Sequence, residues 1–197
     1  MLLEVMRGNR LEALYSVALA LGLRQGEALG LKWGDIDLDA GILRVRRTAQ
    51  RIPHHGTQLV ETKTARSRRT LVLPPVVITA LRAHRARQTL ERLAAGPAWV
   101  DLDLVFPSRR GTLADGPNIT HRFRRLLTKA GLPPMRFHDL RHACASLLLV
   151  QGVHPRVVME TLGHSQISLT MNTYSHVLPA LQREAADRME SVLTGRQ

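Results

Sequence analysis

The chain has 197 residues, enough for one sizeable hydrophobic core with a smaller unit attached. Its 28 Lys and Arg against 16 Asp and Glu give a net charge of +12, which favours a polyanionic partner, most often nucleic acid. A single cysteine excludes an internal disulfide framework and a cysteine-rich zinc site. The sequence has no apolar run long enough for a membrane span and no signal-peptide pattern, so we expect a cytoplasmic protein.

The first half of the chain is predicted to contain both helices and strands. Its predicted elements are helices over 1–23 and 28–33, a turn over 35–41, and strands over 42–48, 58–63 and 69–73. Tyr15 falls on the apolar face of the first helical stretch, so we expect it in the core. A hairpin turn over 64–68 joins the last two strands and places Lys63 at its tip.

The second half is predicted to be helical. Helices are expected from Pro74–Pro75 to about 92, from about 118 to 130, over 138–151, over 155–163, over 167–175 and from Pro179 onward, with a loop over 94–117 around a short apolar piece at 104–106. The sequence therefore predicts a mainly α protein with a small three-stranded antiparallel sheet, in the α+β class.

The sequence His138-Asp139-Leu140-Arg141-His142 is the first candidate for chemistry. On a helix, His138 and Arg141 share one face, where an imidazole and a guanidinium can bind a phosphate and move a proton. The alternative is a helix N-terminus with a surface arginine. His142 adds the spacing of a zinc-binding helix, but Asp139 stands where such a helix carries glutamate, so we expect no metal.

Arg24 and Lys63 are each ambiguous on their own. Arg24 opens a helix and could bind an anion there, with Glu27 orienting it, or the two could form a capping salt bridge on a solvated face. Lys63 could be a general acid that protonates a leaving oxygen, or a charge that protects the edge of a sheet.

His164 and Tyr174 lie ten positions apart near the C-terminal end. His164 follows Gly163 at a predicted helix end, where it could serve as a helix cap. Tyr174 could be a half-buried aromatic, but a phenol held among cations can act as a nucleophile.

Arginine clusters recur along the chain, and each one alone fits a solvated surface. Two of them lie next to the candidate site elements, and we expect those two to contact the phosphate backbone of a nucleic acid. The predicted contact residues are Arg66, Arg68 and Arg69 in the hairpin and Arg122, Arg124 and Arg125 in the helix over 118–130.

Together these segments resemble the tyrosine recombinase, or phage integrase, family. The stretch from Gly22 to Asp37, containing Arg24-Gln25-Gly26-Glu27, resembles its first arginine motif, or box. Thr62-Lys63-Thr64 resembles its lysine hairpin. Phe137 to His142 and Leu162-Gly163-His164-Ser165 resemble its second box, and Tyr174 falls at the nucleophile position. The resemblance covers about residues 10 to 178.

This resemblance implies the fold of the family's catalytic domain and an enzyme that breaks and rejoins DNA. Tyr174 would attack a DNA phosphate, form a 3′-phosphotyrosyl link and release a 5′-hydroxyl. The implied roles of the other residues are phosphate binding by Arg24, Arg141 and His164, proton donation by Lys63, base assistance by His138 and support by Glu27. No ATP, metal or other cofactor would be needed.

The resemblance also implies partners and a domain plan. We expect residues 1–178 to form the catalytic domain and residues 179–197 a C-terminal helix that docks on a neighbouring protomer or folds back. The N-terminal core-binding domain usual in the family is expected to be absent here. Double-stranded DNA is the expected partner, with a homotetramer on DNA for a full-length protein and a monomer possible for this chain. A type IB topoisomerase and a non-catalytic DNA-binding remnant are the alternative functions.

Overall fold

Helices make up most of the computed structural model, which describes residues 2–62, 68–163 and 178–194. The helices of this part are α1 (Leu2–Met6), α2 (Glu12–Leu21), α3 (Gln25–Leu29), α4 (Pro75–Ala95), α5 (Gly116–Lys129), α6 (Asp139–Val150), α7 (Pro155–Leu162) and α8 (Leu178–Thr194), with short 3-10 turns at Trp33–Asp35 and Gly96–Ala98. The strands are β1 (Ile36–Asp37), β2 (Ile42–Val45), β3 (Arg47–Ile52), β4 (Gly56–Glu61) and β5 (Arg69–Val72). The predicted helix over 167–175 lies outside the described residues.

Proline and glycine set the helix boundaries. Pro75, Pro117 and Pro155 lie in the first turns of α4, α5 and α7, where a missing N–H costs no helical hydrogen bond. Gly22 and Gly163 follow α2 and α7 in the left-handed conformation, which glycine adopts without steric cost. These signals explain why the helices predicted in the second half match the observed ones closely wherever the structure describes the chain.

The strands form two separate antiparallel units. One is a three-stranded sheet in the order β1–β2–β5, and the other is the hairpin of β3 and β4. The predicted class, mainly α with a small three-stranded antiparallel sheet, is therefore confirmed, but the predicted strand pairing is wrong. Strand 58–63 was expected to pair with 69–73, whereas β4 pairs with β3 and β5 pairs with β2.

A tight turn explains the different pairing. His54 has φ of 64° and Gly56 has φ of 74°, so the chain reverses between Ile52 and Gly56 and leaves these two residues opposite each other. The proline and glycine of Pro53-His54-His55-Gly56 are a sequence signal for this turn. The prediction placed the hairpin turn at 64–68 instead.

The main core surrounds α2, which packs against α4 and α6. Tyr15 on α2 is 1% exposed, and its ring lies 5.0 Å from that of Phe123 on α5 and 6.1 Å from that of Phe137, just before α6. The prediction that Tyr15 is a core residue is confirmed. The rings of Phe123 and Phe137 are also 6.0 Å apart, so this aromatic cluster packs α5 and the start of α6 together against α2.

Buried polar side chains of α4 hold the loop over 94–117 in place. The Nε2 atom of His84 lies 2.6 Å from the carbonyl oxygen of Val105, and Gln88 donates to the carbonyl of Leu104 at 2.8 Å. The indole N–H of Trp33 donates to Gln88 at 2.6 Å, so the chain after α3 is tied to the same point. The loop that leads to α5 therefore has a fixed path.

A second, smaller cluster joins α6 to α7 through Leu149, Val158 and Leu162. It meets the turn after α2 at Gly22, because a β-carbon added there would lie 2.3 Å from Leu162 Cδ2 and 3.3 Å from Cys144 Sγ. The turn that precedes α3 is thus pressed directly onto α6 and α7.

Replacing Gly22 with alanine is expected to destabilise the protein through both strain and crowding. A left-handed conformation costs an L-residue about 1–2 kcal/mol, and overpacking adds about 1–3 kcal/mol. Gly56→Ala is the matched control, because Gly56 also has positive φ but an added β-carbon would meet nothing within 4 Å. Urea unfolding should show a larger loss for Gly22→Ala, and equal losses would contradict this packing.

Candidate active site

Arg24 and Glu27 form one unit at the start of α3. The Glu27 carboxylate accepts from the backbone N–H of Arg24 at 2.9 Å and from its Nη1 at 2.8 Å. The first bond satisfies a donor at the helix N-terminus, as in a capping box. The Arg24 side chain is 44% exposed while that of Glu27 is 4% exposed, so a buried carboxylate holds an accessible guanidinium.

A second arginine reaches the same carboxylate from β5. Arg69 donates from Nη1 to Glu27 Oε1 at 3.1 Å and from Nη2 to Oε2 at 2.9 Å, a two-point contact. Burial alone would raise the pKa of Glu27, but hydrogen bonds and charge from Arg69, and then from Arg24, outweigh it and hold the pKa below its usual value. Glu27 is therefore a carboxylate shared by two arginines.

Arg69 also contacts the end of α7. Its Nε donates to the carbonyl of Thr161 at 2.8 Å, one of the carbonyls left without a partner at a helix C-terminus. Gly163 permits this approach, since a β-carbon there would lie 2.9 Å from Arg69 Nη1. One side chain thus links α3 to the turn that leads toward His164 in the sequence.

These contacts correct one prediction. Arg69 was expected to contact the DNA backbone, but its side chain is 7% exposed and its guanidinium is directed at Glu27 and Thr161. Its neighbour Arg68 is 58% exposed and pairs with the exposed Glu61, so its predicted contact with a phosphate is sterically open. Residues on successive positions of a strand point to opposite faces, and the sequence did not reveal which arginine faced inward.

Arg141 is held deep at the start of α6. The residue is 2% exposed, and its Nη1 donates to the carbonyl oxygen of Gly22 at 2.7 Å. Gly22 lies two residues before Arg24, so the structure attaches both predicted arginine boxes to the same turn. Arg24 and Arg141 are separated by more than a hundred residues in sequence, and this bond is one of the tertiary contacts between their segments.

His138 lies at the exposed N-terminal end of α6, with its ring 4.8 Å from that of His142. Partial burial, together with the neighbouring His142 and Arg141, lowers the pKa of His138 below its usual value. The neutral imidazole is thereby favoured, and this form can accept a proton. Asp139 accepts from the backbone and the guanidinium of Arg136, so it is engaged in the helix start.

The two tyrosines are in different situations. Burial raises the pKa of Tyr15 to about 12, so its phenol in the core is a poor nucleophile. Tyr174, which the sequence places at the nucleophile position, lies outside the described residues, as do Lys63, Arg66 and His164. Of the predicted site residues, the structure therefore describes Arg24, Glu27, His138 and Arg141.

A basic groove of about 990 Å³ runs along α5. The exposed residues Arg122, Arg124 and Arg125 line it, together with Arg10 and Arg109, and their contact with a DNA backbone stays a prediction. The groove extends to the turn over 107–113, where Arg109 sits. The adjacent pair Arg109-Arg110 was the available sequence signal, but nothing in the sequence placed that turn beside α5.

Residues 2–62, 68–163 and 178–194 contain neither a membrane-spanning helix nor a cluster of metal ligands. No helix in those ranges is long and apolar enough to cross a bilayer. No group of three or more metal-ligating side chains in the same ranges is placed around a common point.

Comparison with known proteins identifies the family. The model of the phage integrase family matches residues 2–180. The chain belongs to the phage integrase family. The resemblance to tyrosine recombinases found in the sequence is thereby confirmed.

The curated relatives of this phage integrase chain are longer proteins. It is 38% identical over 200 residues to a XerC-like tyrosine recombinase of Caldanaerobacter subterraneus subsp. tengcongensis, covering 96% of this chain and 51% of that protein. It is 33% identical over 196 residues to an integrase of Streptomyces ambofaciens, covering 93% of this chain and 49% of that protein. The chain therefore spans about half the length of the curated relatives it matches.

Solved structures show the same fold. The XerA recombinase superposes with a TM-score of 0.74 at 26% identity, covering 95% of this chain and 60% of that one. The Tn1549 transposon integrase, solved with a circular intermediate DNA, gives 0.79 at 24% identity, with 95% and 62% covered. The catalytic domain of bacteriophage HP1 integrase gives 0.54 at 22% identity and is covered over 93% of its length, against 100% of this chain.

Replacing Glu27 with glutamine is expected to destabilise the fold strongly, because two arginines would lose their shared carboxylate. Breaking a buried ion pair by removing one partner costs about 3–5 kcal/mol. Glu91→Gln is the control, since Glu91 pairs with Arg10 at a partly exposed position and should cost about 1 kcal/mol or less. Chemical unfolding of the three proteins at neutral pH measures the difference.

The same variant should alter the acid dependence of stability. The folded-state pKa of Glu27 is lowered from 4.5, so its contribution is present above 4.5 and is lost as the pH falls below that value. Glu27→Gln should flatten this part of the profile. A profile identical to that of the wild type would show that Glu27 is not ionised between the arginines.

Proposed function

We propose that this chain is the catalytic domain of a site-specific DNA recombinase that cleaves and rejoins strands through a 3′-phosphotyrosyl intermediate. The observation that carries the proposal is the attachment of both arginine boxes to one turn, through Glu27 for Arg24 and through Gly22 for Arg141. This arrangement occurs in a member of the phage integrase family.

The proposed reaction is a phosphoryl transfer in two balanced steps. The phenol oxygen of Tyr174 attacks a DNA phosphorus, His138 assists removal of its proton, and the bond to the 5′-oxygen breaks as Lys63 gives that oxygen a proton. A 5′-hydroxyl of another strand then reverses the process and frees the tyrosine. The covalent link conserves the bond energy, so the proposal includes no ATP, metal or other cofactor.

The described arginines suit the electrostatic part of this scheme. Negative charge gathers on the non-bridging phosphate oxygens in the transition state, and fixed guanidinium groups stabilise it because they need no reorganisation. Arg24 has its position set by Glu27 while its side chain stays 44% exposed. Arg141 is fixed on a backbone carbonyl. His164 is proposed as a further donor.

Double-stranded DNA is the proposed substrate and partner. The net charge of +12 and the basic groove beside α5 support it. The match to proteins named as recombinases and integrases supports a recombinase rather than a type IB topoisomerase. A cytoplasmic location remains a prediction.

The domain plan also stays a proposal, with residues 1–178 as the catalytic domain and 179–197 as a C-terminal helix that docks on a neighbouring protomer. The exposed apolar side chains of Met189, Val192 and Leu193 on α8 support docking, since such residues on one helix gain from being covered. A homotetramer on DNA would follow for a longer protein that contains this domain.

The catalytic proposal is tested by trapping the covalent intermediate. A pool of nicked duplexes of randomised sequence is incubated with the chain; cleavage beside the nick releases a short oligonucleotide, so that rejoining fails and the adduct accumulates. Tyr174→Phe should abolish the adduct and retain DNA binding, because only the nucleophilic oxygen is removed. Tyr15→Phe is the matched control and should retain the adduct, since that ring is buried in the core.

Three outcomes would count against the proposal. An adduct that persists in Tyr174→Phe would place the nucleophile elsewhere. Loss of adduct formation in the presence of a metal chelator would contradict the metal-free scheme. Binding without any adduct from the wild-type chain would favour the non-catalytic DNA-binding remnant.

The groove beside α5 is expected to supply phosphate contacts. Arg122→Gln and Arg125→Gln should each weaken DNA binding and reduce the slope of log affinity against log salt by about 1. Arg82→Gln is the control, since Arg82 is exposed on α4 and pairs with Asp39 away from the groove. Fluorescence anisotropy at several salt concentrations measures the slopes. Equal slopes in all three variants would show that DNA does not bind in this groove.

A further inference from the structure

Arg69 differs from Arg68, the other arginine of the 66–69 cluster that the structure describes. Its guanidinium donates from Nε to the Thr161 carbonyl and from both terminal nitrogens to the Glu27 carboxylate. The side chain is 7% exposed, in contrast to 58% for Arg68. A buried arginine is costly unless its hydrogen bonds are satisfied, and these three contacts meet that requirement.

The contacts of Arg69 lead to two segments that carry or adjoin residues of the proposed catalytic centre. Through Glu27 it reaches Arg24, which shares the same carboxylate. Through Thr161 and the close approach at Gly163 it reaches the end of α7. Its partners lie 42 and 92 residues away in the sequence, so Arg69 links three segments that are distant in the chain.

We propose that Arg69 is a positioning residue for the phosphoryl transfer, which acts by fixing Glu27 and thereby the direction of the Arg24 guanidinium. This inference rests on the proposed function. Arg69 keeps Glu27 ionised and fixes both of its oxygens, so that Arg24 is held from one side and presents its remaining surface to solvent. The same guanidinium anchors the last turn of α7.

Lysine cannot replace arginine fully in this position. An ammonium is a compact charge without a planar fork, so it cannot satisfy both carboxylate oxygens and the Thr161 carbonyl with the same geometry. Arg69→Lys should keep the charge balance and the fold while loosening Glu27. Arg69→Gln removes the charge as well, and should raise the pKa of Glu27.

The test separates binding from chemistry, with a duplex recovered from the trapping pool as the probe. Arg69→Lys and Arg69→Gln should retain the wild-type affinity and salt slope, since the side chain is inaccessible to phosphate. The adduct-forming rate at saturating DNA should fall, by up to about 100-fold for Arg69→Gln, because a displaced group near the chemistry can cost that much. Arg69→Lys should lie between that variant and the wild type.

The pH profile and a double variant identify the route through Glu27. In Arg69→Gln the rate should decline at a higher pH than in the wild type as the solution is acidified, because protonated Glu27 no longer holds Arg24. Combining Arg69→Gln with Glu27→Gln should slow the reaction no more than Glu27→Gln alone, since both act through one carboxylate. Circular dichroism confirms that each variant is folded.

Two results would overturn the inference. A salt slope reduced by about 1 with an unchanged maximal rate, as expected for a phosphate contact, would make Arg69 a DNA-binding residue. A wild-type rate and pH profile in both variants would give it no role in the reaction.

If the wild-type chain forms no adduct, the proposed function fails while the coupling can still be decided. Carbon-13 NMR of the Glu27 carboxyl without DNA should show a higher pKa in Arg69→Gln than in the wild type. An unchanged titration would reject the coupling independently of any activity.

Discussion

The buried carboxylate of Glu27 is the interaction on which the site depends. A carboxylate removed from water is unfavourable unless opposite charges and hydrogen bonds compensate for its lost hydration. Here it accepts from the backbone and side chain of Arg24 and from two nitrogens of Arg69, and its pKa remains below the usual value. The negative charge between the arginines lets two cations lie close together with one of them still open to solvent.

A second constraint comes from the turn at Gly22. Its carbonyl binds Arg141, and its lack of a side chain lets Leu162 and Cys144 approach. The first arginine box, the second box and the end of α7 are therefore held together by packing and hydrogen bonds near one turn. Such rigidity suits phosphoryl transfer, in which the protein contributes positioned charge more than covalent chemistry.

Much of this organisation could be predicted from local sequence signals. Proline and glycine marked the helix boundaries, and the helical periodicity of the first segment placed Tyr15 in the core, where the structure has it. The order of Arg24, His138 and Arg141 within recognisable motifs indicated the family, because those motifs are specific in residue type and spacing.

Tertiary choices could not be predicted. The pairing of β5 with β2 depends on which strand surface meets the helices, and single-strand patterns do not encode that selection. Arg68 and Arg69 are identical residues at adjacent positions, yet one faces solvent and the other faces Glu27. The burial of Arg69 depends on a carboxylate 42 residues earlier in the chain, which no local pattern could reveal.

The most direct test of this account is a crystal structure of the chain with a nicked duplex and vanadate. Vanadate mimics the phosphoryl group in the transition state. The account predicts guanidinium nitrogens of Arg24 and Arg141 within hydrogen-bonding distance of the vanadate oxygens, with Arg69 still on Glu27. A vanadate bound by Arg69, or bound away from both other arginines, would contradict it.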